Sequence, residues 1–194
     1  MRVALGLKAR TGRAIFVAVG GSPDLQVLGR GEMRLLPEGA MAPYHAAEGL
    51  SSRAAQKSVD RDIAAARRLA EQGIRSANKA LTAAGHDVCG CGVLTGGGMP
   101  PWSTDEIIAV HVRMHHAEGE LFRDVLVHGG TACGLAVATL PEKTAFDAAA
   151  DALGISRRDL DTRLAALGKT IGPPWAKDQK EAAAVALVAL ASGA

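Results

Sequence analysis

Three groups of side chains in this chain have types and spacings suited to chemistry. Near the C-terminus, Asp178 and Glu181 stand three apart on a helix expected after Pro173-Pro174, so they share one face. Two acids at such a place either complement the dipole of a helix start or supply half of a divalent-metal site. On an earlier helix, His111, His115 and Glu118 fall at i, i+4 and i+7, and His116 and Glu120 form another i, i+4 pair. Imidazole and carboxylate at these spacings can bind Zn²⁺ or Mn²⁺ or pass protons near neutral pH. The plainer reading is a polar helix flank with His–Glu hydrogen bonds. In the first turn, Lys8, Arg10 and Arg13 crowd together. With the amides of Thr11 and Gly12 they offer a site for an anion or phosphate.

The remaining motifs are less specific. Tyr44 and His45 lie in a connector, where binding residues are common; they either overhang a cleft or pack the connector. Gly96-Gly97-Gly98 is no P-loop, because no Gly-Lys-Ser/Thr follows it. Trp102 and Trp175 each follow a proline pair and read as anchors of loop against core. Gly119 in mid-helix costs about 1 kcal/mol relative to Ala, which points to another backbone close by. No aromatic series suggests stacking of single-stranded bases.

These residues need a scaffold, and the chain of 194 residues is long enough to bury one core as a single domain, residues 1–194. Hydrophobic residues make up 48% and charged residues 22%, as in soluble globules. Aromatics are only 3%, so Ala, Val, Leu and Gly must do the packing. A net charge of +2 is too weak to argue for nucleic acid by itself. No apolar run approaches the roughly 18 residues of a membrane span, and the apolar run Val3–Leu7 is too short for a secretory signal. Cys89, Cys91 and Cys133 lack Cys-x-x-Cys spacing and read as reduced core residues of a cytoplasmic protein.

Strands are expected over Val3–Leu7, Arg13–Val19 and Asp24–Leu36, separated by turns at Lys8–Gly12 and Gly20-Gly21-Ser22-Pro23, with a bulge at Gly31. A long helix over Ser52–Ala84 shows apolar residues at spacings of three and four, from Val59 to Leu81, and ends at Gly85. Val88–Leu94 is a fourth strand. Ser103 opens one helix through to about His128, stopped by Gly129-Gly130. Cys133–Leu140 is a fifth strand. Helices follow over Thr144–Leu153, closed by Gly154, and over Arg157–Leu167, closed by Gly168. Three antiparallel strands, then strands reached through helical crossovers to parallel neighbours, give a five-stranded mixed sheet with helices on both faces.

That order resembles the ribonuclease H-like fold over the whole chain. Within it, two stretches are similar to the Holliday-junction resolvases. One is Ala4-Leu5-Gly6-Leu7-Lys8 with the hairpin to Val19; the other is Asp178-Gln179-Lys180-Glu181 before an alanine-rich helix. The resemblance implies two Mg²⁺ or Mn²⁺ ions held by four carboxylates: one on strand one, one at the end of strand four, two on the last helix. Here Asp178 and Glu181 match. Lys8 stands at the strand-one position, and Leu94 or Thr95 at the strand-four position, so the usual two-metal site is incomplete. The resemblance also sets the first turn beside the last helix, so Lys8 is expected to bridge to Asp178 or Glu181.

Asp178, Glu181 and Lys8 are thus the candidate catalytic set; Arg10, Arg13 and His45 the binding set; His111, His115 and Glu118 the metal set. Three functions follow. The chain is a binding or assembly protein that lost the metals and forms a homodimer through exposed helices. Or it is a divalent-metal-dependent nuclease or phosphoesterase with a rearranged site. Or its first hairpin holds a nucleotide phosphate. Nucleic acid or a phosphate-containing ligand is the partner implied.

Overall fold

The computed structural model describes residues 1–21 and 24–193; the expected turn at Gly20–Pro23 includes Ser22 and Pro23, which lie outside them. Strands β1 (Arg2–Arg10) and β2 (Arg13–Gly20) form an antiparallel hairpin, and β3 (Gln26–Arg34) pairs antiparallel with β2. Strand β4 (Asp87–Thr95) runs parallel to β1, and β5 (Val137–Pro141) parallel to β4. The sheet order is β3-β2-β1-β4-β5, the expected mixed sheet. The helices are α1 (Pro43–Ala46), α2 (Ser52–Ala83), α3 (Thr104–Ile108), α4 (His111–Ala132), α5 (Ala145–Leu153), α6 (Arg157–Ile171) and α7 (Lys177–Ser192). A single 3₁₀ turn, Glu142–Thr144, follows β5. Among the described residues, no helix is long and apolar enough to cross a membrane.

The alternation of β1 decides where its side chains go. Val3, Leu5 and Leu7 pack under α2 and α4 with Ala66, Ile74, Phe122 and Leu126. Gly6 and Lys8 point to the opposite face, against α7. On that face Val17, Val19 and Leu94 pack with α5, α6 and α7. Helix α7 lies unusually close to the strands. Gly6 and Gly92 are register partners on β1 and β4. A Cβ on Gly6 would stand 1.7 Å from the carbonyl oxygen of Ala182, and one on Gly92 2.4 Å from that of Val185. No side chain fits either position, and the alanines of α7 are what such a seat admits. The approach to α7 is gathered by Arg30, whose guanidinium donates to the carbonyls of Ile171, Gly172, Pro173 and Pro174 at 2.7 to 3.0 Å.

Several expectations need correction, and glycine accounts for most of them. The helix expected from Ser103 to His128 is broken: Val110 is extended (φ −137°, ψ 110°) between α3 and α4. Helix α4 then runs through Gly129 and Gly130, which are buried where it crosses Ala70 of α2 and Cys91 of β4. Gly168 does not close α6, which continues to Ile171; the indole of Trp175 lies over Gly168 instead. Cys133 caps α4, so β5 begins only at Val137. The register shift in the β2–β3 pair falls between Ala18 and Val19, opposite Gly29 and Val27, not at Gly31. Gly31 instead makes room for the ring of Phe16. Tyr44 and His45 belong to the short helix α1, not to a loop.

Candidate functional site

Because β1, β4 and β5 are parallel, their carboxyl ends share one edge of the sheet, and α7 begins over that edge. Lys8 is the last residue of the buried run of β1 and is 2% exposed. Its Nζ pairs with Glu142, the first residue past β5, and lies 2.8 Å from Glu181 Oε2 on α7. These are ion pairs rather than aligned hydrogen bonds: neither Lys8 Nζ nor Glu181 Oε2 has a partner in hydrogen-bonding geometry. Lys177 reaches the other Glu181 oxygen at 3.5 Å. Asp178 does not meet Lys8; it takes a two-pronged contact from Arg10, whose Nε donates at 2.9 Å and whose Nη2 donates to the other oxygen.

The centre therefore sets three carboxylates (Glu142, Asp178, Glu181) against Lys8 and Arg10, and Lys177 offsets the one remaining negative charge. The Asp178 carboxyl is held below its ordinary range, first by the Arg10 hydrogen bond, which outweighs its partial burial. Burial would raise the Glu142 carboxyl, but the Lys8 ammonium, with Arg123 and Lys177, more than offsets it and holds it low. All of this describes carboxylates kept charged by internal cations.

The fold implies Mg²⁺ or Mn²⁺, and the residues here do not fit it. A divalent ion between Glu142 and Glu181 would occupy the place that Lys8 Nζ takes, and an ammonium donates where a metal ligand must offer an oxygen lone pair. The strand-four position is Leu94 or Thr95, neither an acid, as expected. Glu142 is the member of this centre that sequence reasoning missed. Its signal was available only as an acid one residue past a strand that pairs parallel with β4.

The other candidates divide differently from their expected sets. Arg13 is half exposed and contacts Glu32 at 3.4 Å. His111 and His115 are exposed at the start of α4, with their Nε2 atoms 3.0 Å apart. Glu118 does not join them as a ligand: it is 3% exposed and turned inward to α1. Its Oε1 accepts from the backbone N–H of Tyr44 and of His45 at 3.2 Å each, and from His45 Nδ1 at 2.8 Å. The third imidazole beside His111 and His115 is His45, with ring centroids 5.2 and 4.8 Å away. The expected His116–Glu120 pair is also absent. Glu120 pairs with Arg123, and His116 stands edge-on to Trp102. No backbone approaches Gly119, whose nearest neighbour is the Arg123 guanidinium. Trp175 does anchor its segment, donating from Nε1 to the Leu164 carbonyl at 2.7 Å. Cys89, Cys91 and Cys133 are free thiols, and burial raises the Cys91 thiol to about 12.

No family model matches the chain, and no curated protein matches it. Among solved structures the fold is similar to that of Thermus thermophilus RuvC, with a TM-score of 0.52 at 9% identity over 96% of this chain and 91% of that one. It is also similar to T. thermophilus RuvC in complex with Holliday junction substrate, with a TM-score of 0.52 at 9% identity over 97% and 92%. The fold is ribonuclease H-like and resolvase-like, as its element order implies.

Proposed function

We propose that this chain is a nucleic-acid-binding member of the ribonuclease H-like fold whose ion centre is closed by its own lysine. It holds a phosphodiester backbone and does not cleave it. The observation that carries this reading is the Lys8 ammonium between Glu142 and Glu181, where it replaces a catalytic cation with a fixed one. A rim of exposed cations supports the binding half: Arg10 and Arg13 flank the β1–β2 turn, Lys143 follows Glu142, and Lys177 opens α7. All four lie at the same edge of the sheet, and such cations attract phosphates without reading bases. The neighbour bound to a Holliday junction makes branched DNA the first partner to test.

The carboxylate set keeps a second reading in view. Glu142, Asp178 and Glu181 converge on one edge, and a divalent-metal-dependent nuclease or phosphoesterase would result if Lys8 swung away from them. A phosphate site confined to the first hairpin is weaker, because Lys8 is buried against Glu142 and Glu181 and Arg10 would have to exchange Asp178 for the phosphate. Homodimerisation belongs to the first reading. The exposed Val110 and Val112 at the start of α4 are the apolar side chains we propose for its surface, and Val112→Asp would then shift the sedimentation of a dimer to that of a monomer.

The deciding experiment incubates labelled four-way junction and linear duplex with the chain, with and without Mg²⁺ or Mn²⁺. The expected result is salt-dependent binding with no cleavage. Metal-dependent cleavage that Asp178→Asn abolishes would replace the first reading with the second. Absence of binding to either DNA would end the nucleic-acid reading.

A further inference from the structure

We infer that His45, His111 and His115 form a binding site for a divalent transition ion of the zinc class, built at the corner of α1 and α4 and separate in its residues from the Lys8 centre. One ring nitrogen from each of the three lies within 4.8 Å of the others. Two Zn–N bonds of about 2.05 Å at a tetrahedral angle set their nitrogens roughly 3.3 Å apart. The His111–His115 pair, at 3.0 Å, already has nearly that spacing. Both side chains are exposed, so a small rotation brings them to an ion.

His45 is what distinguishes this cluster from a hydrogen-bonded pair on a helix flank. Its Nδ1 is taken by Glu118 Oε1 at 2.8 Å. That oxygen also accepts two backbone N–H groups, so it is an acceptor throughout, and Nδ1 carries the proton. The His45 lone pair is thereby confined to Nε2, the ring nitrogen left to offer an ion. A buried carboxylate that fixes the tautomer and orientation of an imidazole is the arrangement that supports a metal-ligating histidine. Three imidazoles with no thiolate favour zinc, cobalt, nickel or copper over magnesium or calcium. Because two of the ligands are exposed, the fourth position is open to water or a small anion, as in zinc sites that exchange a ligand rather than sealed structural ones.

The test uses the full chain freed of any histidine tag and of bound metal, titrated calorimetrically with Zn²⁺ and, by visible absorption, with Co²⁺. One ion per chain is expected. His111→Ala and His115→Ala change exposed residues and should melt like the parent in chelator. Each should nonetheless lose more zinc affinity than the roughly 10- to 100-fold loss expected for Glu118→Gln. The cobalt spectrum should vanish in both histidine variants. A parent chain that takes up no zinc, or a His115→Ala chain that binds it as the parent does, overturns the site. Neither result bears on the nucleic-acid reading, which rests on other residues.

Discussion

Lys8 and Glu181 meet across the contact of β1 with α7, Nζ to Oε2 at 2.8 Å, and each side chain is only 3% exposed. Buried pairs of this kind add little net stability, because desolvation offsets their attraction, but breaking one side is costly. Lys8→Ala leaves the buried Glu181 with only the more distant, exposed Lys177 and takes the ammonium from Glu142 as well. The expected loss in urea unfolding is on the order of 3–5 kcal/mol. The same variant opens space between two carboxylates. Mn²⁺ should raise its melting temperature while leaving the parent unmoved at that centre. A variant as stable as the parent, or one indifferent to Mn²⁺, would contradict the view that the ammonium stands in for an ion.

The acid side of the stability curve should report the same centre. Asp178 is held low by Arg10 and Glu142 by Lys8 against its burial, so the folded state binds these protons less readily than the unfolded chain. Stabilisation from a depressed carboxyl is complete above its unfolded value, about 3.9 for Asp and 4.3 for Glu, and is lost as pH falls through the folded one. On this account melting temperature should be level above about pH 5 and fall below about pH 4. Asp178→Asn should shallow that fall. Equal acid slopes for parent and variant would show that the Arg10–Asp178 contact does not contribute.

Much of this centre was legible in the sequence. Asp178 and Glu181 share a face by helical spacing, and the likeness to the resolvases set the first turn, with Lys8, beside them. Glu142 carried no local pattern; only the parallel pairing of β4 with β5 brings it to Lys8. His45 was hidden for a similar reason. Helix α1 has four residues and no periodicity, and its bond to Glu118 spans 73 positions. The break at Val110 was invisible because an apolar residue with the right spacing reads as continuous helix. Gly129, Gly130 and Gly168 read as stops, whereas packing against neighbours is what they serve.

Two glycine substitutions should move stability in opposite directions. At Gly6 an added methyl would stand 1.7 Å from the Ala182 carbonyl oxygen, a backbone atom that moves only if α7 lifts. Gly6→Ala is expected to cost several kcal/mol, or to leave the chain unfolded. At Gly119 the nearest atom is the Arg123 Nη1 at 3.3 Å, the end of a flexible side chain. Gly119→Ala should stabilise by up to about 1 kcal/mol through helix propensity. Chemical denaturation of both variants reads the contrast, and a tolerated Gly6→Ala would refute the close seat of α7.

The sign of one mutation separates the two functional readings. Arg10 is partly exposed at the rim, yet its guanidinium is spent on Asp178 through two hydrogen bonds. In a binding protein, Asp178→Asn removes the competing charge and frees that guanidinium for a phosphate. Affinity for junction DNA should then rise, and the slope of log affinity against log salt should steepen by about 0.9, one further phosphate contact. In a metal-dependent nuclease, Asp178 would hold the ion, and the same change would abolish turnover. Fluorescence anisotropy across a salt series, run beside a cleavage assay, reads both. Unchanged affinity with an unchanged slope would mean that Arg10 does not face the nucleic acid, and the rim would have to be drawn through Arg13, Lys143 and Lys177 alone.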